Sequence, residues 1–188
     1  MNRTILLLAT LGAILLAGCI PLSLNPFYSE EGLVFDPALV GYWGEQDKGA
    51  QVRFEQNGAN GYWMIDLEGD STLKFEVHLF KVGGKLLMDI YPKSASSGKN
   101  DLFEMHLIRG HSLLRVDQTS PTLVTSGLDN KWLTELLSND AEALSHVISD
   151  DQLVLTASTT ELQSFIFKHV ADKDAWEAPS EISKVDLK

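Results

Sequence analysis

The chain has 188 residues, 44% of them hydrophobic, one cysteine and a formal charge of −11. That length suits a single domain with a sizeable core, and the acidic balance excludes docking on nucleic acid or anionic lipid heads through a basic surface. A lone thiol excludes an internal disulfide, so stability has to come from buried apolar surface.

The first element has the layout of a bacterial export signal. Arg3 and the amino terminus carry positive charge, Ile5 to Ala17 is almost unbroken apolar sequence, and small residues, Ala17 and Gly18, precede Cys19. The apolar run is 13 residues long, short of the roughly 20 that a spanning helix needs.

Leu16-Ala17-Gly18-Cys19 resembles the lipobox of bacterial lipoproteins. The resemblance implies cleavage before Cys19, so that residues 1–18 are a signal peptide. It also implies a thioether-linked diacylglycerol and an acylated amine, of palmitate type, on Cys19. One such chain holds a protein only marginally, whereas several hold it for good. Ile20, where an aspartate would signal inner-membrane retention, implies an outer-membrane lipoprotein facing the periplasm. Loss of Arg3 with the leader leaves 14 basic against 26 acidic residues, a charge of −12. The mature chain as a whole resembles a group of envelope lipoproteins that brings no activity with it.

By the same resemblance, residues 19–37 read as a lipidated N-terminal tether. Ile20 to Pro37 has no periodicity and three prolines, yet Phe27, Tyr28, Leu33 and Phe35 are apolar enough to pack on the body. Residues 38–175 read as a β-rich, lipocalin-like domain with C-terminal helices. From Gly41 the rhythm has period two: "YWGEQ", "QVRFEQ", "GYWMIDL", "TLKFEVHL", "KLLMDIY", "DLFEMHLIR", "HSLLRVDQ" and "TLVTSGL" each read as a strand. In these, Trp63, Ile65 and Leu67 share one face, as do Phe75, Val77 and Leu79, and Phe103, Met105 and Leu107. Gly83-Gly84 suits a tight hairpin. Asp129 caps a helix with Trp132, Leu133, Leu136 and Leu137 on one side, and "QLVLTA" is a further strand. Ser158-Thr-Thr-Glu161 is a capping box opening a helix with Leu162, Phe165, Ile166, His169 and Val170 on one face. Residues 176–188 read as a loosely ordered tail.

About eight consecutive strands followed by helices give a mainly β (α+β) fold: an antiparallel up-and-down β-barrel, or a strongly curled open meander, with C-terminal helices. "FDPALVGYW", Phe35 to Trp43, is similar to the opening motif of lipocalins, Phe-Asp, a short spacer, then Gly-x-Trp. By that resemblance Gly41 and Trp43 are structural, with the tryptophan plugging the closed end of a barrel. The match covers nine residues, and the family's downstream Thr-Asp-Tyr motif is not evident.

The polar residues divide two ways. His78, Asp89, Glu104 and His106 lie on neighbouring strand segments, where imidazoles and carboxylates in register would make a weak metal-site candidate. The same alternation describes the solvated outer face of a half-buried sheet. Asp89 shares its face with Leu87 and Tyr91, so it either ends in water or meets a tyrosine, Arg115 or a ligand. No Gly-x-Ser-x-Gly elbow, phosphate loop or His-Glu-x-x-His appears, so the pattern assigns no catalytic residue and calls for no cofactor.

The expected function is that of a membrane-anchored periplasmic lipoprotein, a noncatalytic binding module for an apolar or amphipathic small molecule. Trp63, Phe75, Val77, Met88 and Met105 are the candidate lining. The alternatives are an envelope protein-interaction lipoprotein with a filled core and, third, a metal-dependent or hydrolytic enzyme. The expected partners are the bilayer, through acylated Cys19, and an apolar small molecule or an envelope protein, with no nucleic acid.

Overall fold

The computed structural model describes residues 20–45, 49–67, 73–95, 109–149 and 152–186. Residues 1–19, with Cys19, and Glu104, Met105 and His106 with most of the "DLFEMHLIR" segment, lie outside the described residues.

Eight strands close into an antiparallel barrel: β3 (Gly41–Glu45), β4 (Gly49–Asn57), β5 (Gly61–Asp66), β6 (Leu73–Val82), β7 (Lys85–Ala95), β8 (Ser112–Gln118), β9 (Thr122–Gly127) and β12 (Ser180–Lys184). Each of the first seven pairs with its neighbour in the chain. The ring is completed by β12, which binds β9 over Ser180–Ser183 and β3 at Ser183 and Lys184. Sequence pattern alone treats this segment as a loose tail, and the structure corrects that. "SEISK" carries one large apolar side chain, Ile182, which packs on the barrel core. Its strand character comes from two edges that need a partner rather than from its own composition.

Period-two alternation sets the inward face. Phe75, Val77 and Leu79 of β6 point inward with Met64 and Tyr62 of β5, Val52 and Phe54 of β4, and Leu86, Met88 and Ile90 of β7. Trp63 is the exception to expectation. It pairs with Glu55 and Glu76 on the outer face, and Lys74 Nζ lies 3.9 Å from its ring centre. Strand β5 carries large side chains on both faces, so its alternation gave the wrong phase by one residue.

A second core lies outside the wall. Phe80, Leu87, Leu113 and Leu128 point outward from the barrel and are covered by α1 (Asn130–Asn139), α2 (Thr159–His169) and a small sheet. That sheet has the order β1 (Leu22–Ser23), β11 (Gln152–Leu155), β10 (His146–Ser149). Both helices start where their caps predict: Asp129 accepts from Trp132 N–H, and Ser158 and Glu161 form a reciprocal capping box. Leu133 and Leu137 of α1 and Leu162, Phe165 and Ile166 of α2 face this core.

The segment before β3 is integrated into the body rather than slack. β1 joins the small sheet, Phe27 is fully buried in the outer core, and β2 (Leu33–Val34) pairs with β6 beyond the end of β5.

Candidate functional site

The barrel has two unlike ends. At the end carrying the β4–β5 and β6–β7 hairpins, the Asp36–Val40 turn crosses the opening. Leu39 is fully buried there, and its carbonyl accepts from Trp43 Nε1 at 2.7 Å. Asp36 holds the turn in place. Its carboxylate accepts from Ala38 N–H at 2.9 Å and Thr119 Oγ1 at 2.6 Å, and its backbone exchanges hydrogen bonds with the Tyr62 hydroxyl at 2.6 and 3.1 Å. Phe35 stacks on Tyr62 with 5.0 Å between centroids. Burial in this plug raises the Tyr62 pKa above the ordinary phenol value. Gly41 enters β3 at φ 133°, a conformation that side chains with a Cβ rarely adopt. Gly41 and Trp43 thus both sit at this sealed end.

Accessibility inside the barrel rises toward the other end, where β5 finishes and β8 begins. Trp43, Tyr62, Val77 and Leu79 are 0% exposed, Met88 1% and Phe54 2%. A side chain with no accessible surface touches no space large enough for a water, so this half is filled. Farther along, Val52, Met64, Phe75, Ile90 and Leu114 are all half-buried although they point inward. Asp66 and Ser112 stand at the strand termini around them. Among the described residues, these five make up much of the accessible apolar surface inside the barrel.

Of the expected lining, Phe75 faces inward and is half-buried, Val77 and Met88 face inward in the packed half, and Trp63 is outside. Met105 lies outside the described residues. A small cavity of about 10 Å³, room for about one water, lies elsewhere, in the outer core beside Phe27, Leu162, Phe165 and Trp176.

Of the expected polar residues, His78 and Asp89 pair on the outer wall, beneath the N-terminal segment. Asp89 is 0% exposed, which removes its reading as a strand end in water. Its Oδ1 lies 2.7 Å from His111 Nδ1, and its Oδ2 accepts from Phe27 N–H at 2.9 Å. His78 is Asp89's direct cross-strand neighbour, stacks on Tyr28 at 4.3 Å and lies 4.0 Å from Glu76. Burial lowers the His78 pKa against the opposing pull of Glu76 and Asp89. Burial, then the charges of Asp89, Glu76 and Glu30, push the Tyr28 phenol up to about 12.

Among the described residues no three histidines, acids or cysteines converge as metal ligands. Glu104 and His106, the other two expected ligands, lie outside the described residues. The Asp89–His111 pair has the acid-to-Nδ1 geometry of a catalytic dyad. Its second acid oxygen, however, is engaged by backbone, and the nearby Ser112 hydroxyl points to the Ile90 carbonyl at 3.5 Å. His111 also exchanges backbone hydrogen bonds with Ser23 at 2.8 and 2.9 Å. The group works as a clamp on the N-terminal segment. Its parts come from opposite halves of the chain's first 111 residues, and only Asp89's odd position in an apolar strand signalled it in the sequence.

No protein-family model, curated protein or solved structure matches this chain.

Proposed function

We propose that this protein is an acylated lipoprotein of the outer membrane, facing the periplasm, whose barrel is a noncatalytic binding module for an apolar or amphipathic small molecule. The observation that supports binding is the gradient of accessibility inside the barrel. Five inward apolar side chains, Val52, Met64, Phe75, Ile90 and Leu114, are half-buried toward one end, whereas toward the other end Leu86 is the half-buried member of a wall otherwise closed by Tyr62, Leu79 and Met88. A tail shorter than the barrel would lie on them, with Trp43 and Val77 as the floor. A polar head would stay at the rim near Asp66 and Ser112. The anchor rests on the Leu16–Cys19 motif.

Organic extraction of the purified chain followed by mass spectrometry tests the binding half. An apolar molecule should accompany the wild type and be lost from Phe75→Arg at unchanged secondary structure. Identical extracts from both would remove this reading. Mass analysis of the N-terminal peptide tests the anchor, and an unmodified Cys19 would remove it.

A further inference from the structure

The small sheet has one face in the core and one face outward. Ser23, Leu153 and Leu155 are nearly fully buried and mark the inner face, which the core covers at β1 and β11 but not at the edge strand β10, where Leu153's partner Ile148 is 62% exposed. Leu22, Val154 and Val147 are register partners across β1, β11 and β10, so they stand together on the other face. Leu22 and Val154 are half-buried, Val147 is 50% exposed and Leu24, two residues past Leu22, is 45% exposed. The residues sharing their parity, Ile20, Ser145, Gln152 and Thr156, carry no charge. On a chain with 26 acids this is an unusual surface. Its position matters as much as its composition. Cys19 is three residues from Leu22, a reach of at most about 11 Å. From Leu22 on there is no slack. β1 is paired, Asn25 Nδ2 donates to the Ala157 carbonyl, Thr159 Oγ1 to the Pro26 carbonyl and Phe27 N–H to Asp89.

From this we infer that the outer face of the β1–β11–β10 sheet lies against the bilayer itself, as a second contact that fixes how the barrel is oriented on the membrane. The inference rests on the acylation of Cys19 proposed above. Acyl chains supply the attachment, and the face supplies the orientation, because a paired strand three residues from the anchor cannot swing freely. Apolar side chains whose same-parity neighbours on the strands are uncharged fit the interfacial zone of a lipid layer, where apolar faces enter by about 5–10 Å. Asp150 and Asp151 fall between β10 and β11 in the chain, outside the described residues. Those acids favour a zwitterionic over an anionic surface.

The acylated mature chain has no free thiol, so a cysteine introduced at Val147 can be labelled alone. The full acylated chain carrying Val147→Cys, labelled with a polarity-sensitive fluorophore, is reconstituted in phosphatidylethanolamine–phosphatidylcholine vesicles with brominated acyl chains. Leu24→Cys gives a second position on the same face. Ala59→Cys, exposed in the hairpin between β4 and β5 on the side of the barrel opposite β8, gives the reference. Labels at 147 and 24 should be quenched severalfold more than the label at 59, with blue-shifted emission. Equal, weak quenching at all three positions, in protein that still floats with the vesicles, overturns the membrane face and leaves the acyl anchor standing. Shielding of position 147 that persists without lipid and grows with protein concentration would assign the face to a second copy and overturn the inference as well. Protein that fails to float and has a bare Cys19 removes anchor and face together.

Discussion

Asp89 and His111 meet at 2.7 Å on the outer wall of the barrel, and the other oxygen of the same carboxylate holds the backbone N–H of Phe27. One buried acid thus joins β7, the start of β8 and the N-terminal segment. Asp89→Ala would leave the buried Phe27 N–H and the largely buried His111 ring without their acceptor. The expected loss is about 3 kcal/mol, read as a lower denaturant midpoint. Faster hydrogen exchange should follow over Ser23–Phe27. His111→Ala keeps the Phe27 contact and should cost less. Equal exchange in wild type and Asp89→Ala would show that the clamp does not hold the segment.

His78 makes stability depend on pH in a defined direction. Its folded pKa lies below the ordinary imidazole value of 6.5, chiefly through burial. In the unfolded chain it takes up a proton as pH falls through about 6.5, whereas in the folded chain it resists until lower pH. The unfolded state binds more protons in that window, so stability is fully present above it and declines as pH falls. Unfolding midpoints measured between pH 8 and 5 should slope downward, and His78→Gln should flatten the slope. A variant with the wild-type slope would place the pH dependence elsewhere.

Gly41 has a backbone requirement that can be separated from crowding. A Cβ there would meet Lys184 Cε at 3.0 Å, but that is the flexible end of a long side chain. The φ of 133° is the larger obstacle. Gly41→Ala should therefore destabilise by about 1–3 kcal/mol, and adding Lys184→Ala should not restore the loss. Rescue by the second change would make the cause steric.

Ending the chain after Glu177 removes β12 and exposes the facing edges of β3 and β9. Two unpaired edges invite pairing between molecules. Concentration-dependent association, seen by light scattering, and a broadened thermal transition are expected. A monomer with a sharp, wild-type transition would mean that the barrel closes without its last strand.

How much of this was legible in the sequence depended on how each segment is buried. Strand β6 declared its inward residues because one of its faces is inside the barrel and much of the other is polar, so Phe75, Val77 and Leu79 stand out by alternation. Helix starts were equally plain, since a cap is a contact between residues three apart, as at Ser158 and Glu161. Strand β5 was not legible. Tyr62 and Met64 face in while Trp63 and Ile65 face out, Ile65 being only 7% exposed, and a strand buried on both sides has no phase to read. Met88 and Leu87 on β7 likewise serve two different cores.

By itself the sequence determined the elements whose signals are local: the alternation of most strands, the caps and the hairpin glycines. Only the tertiary structure decided which strand closes the ring, which end of the barrel is sealed, and that Asp89 is buried with a partner. Those outcomes depend on contacts between residues tens of positions apart. Their free energy appears only when the chain has already brought the two sides together, so no short window of residues carries their trace.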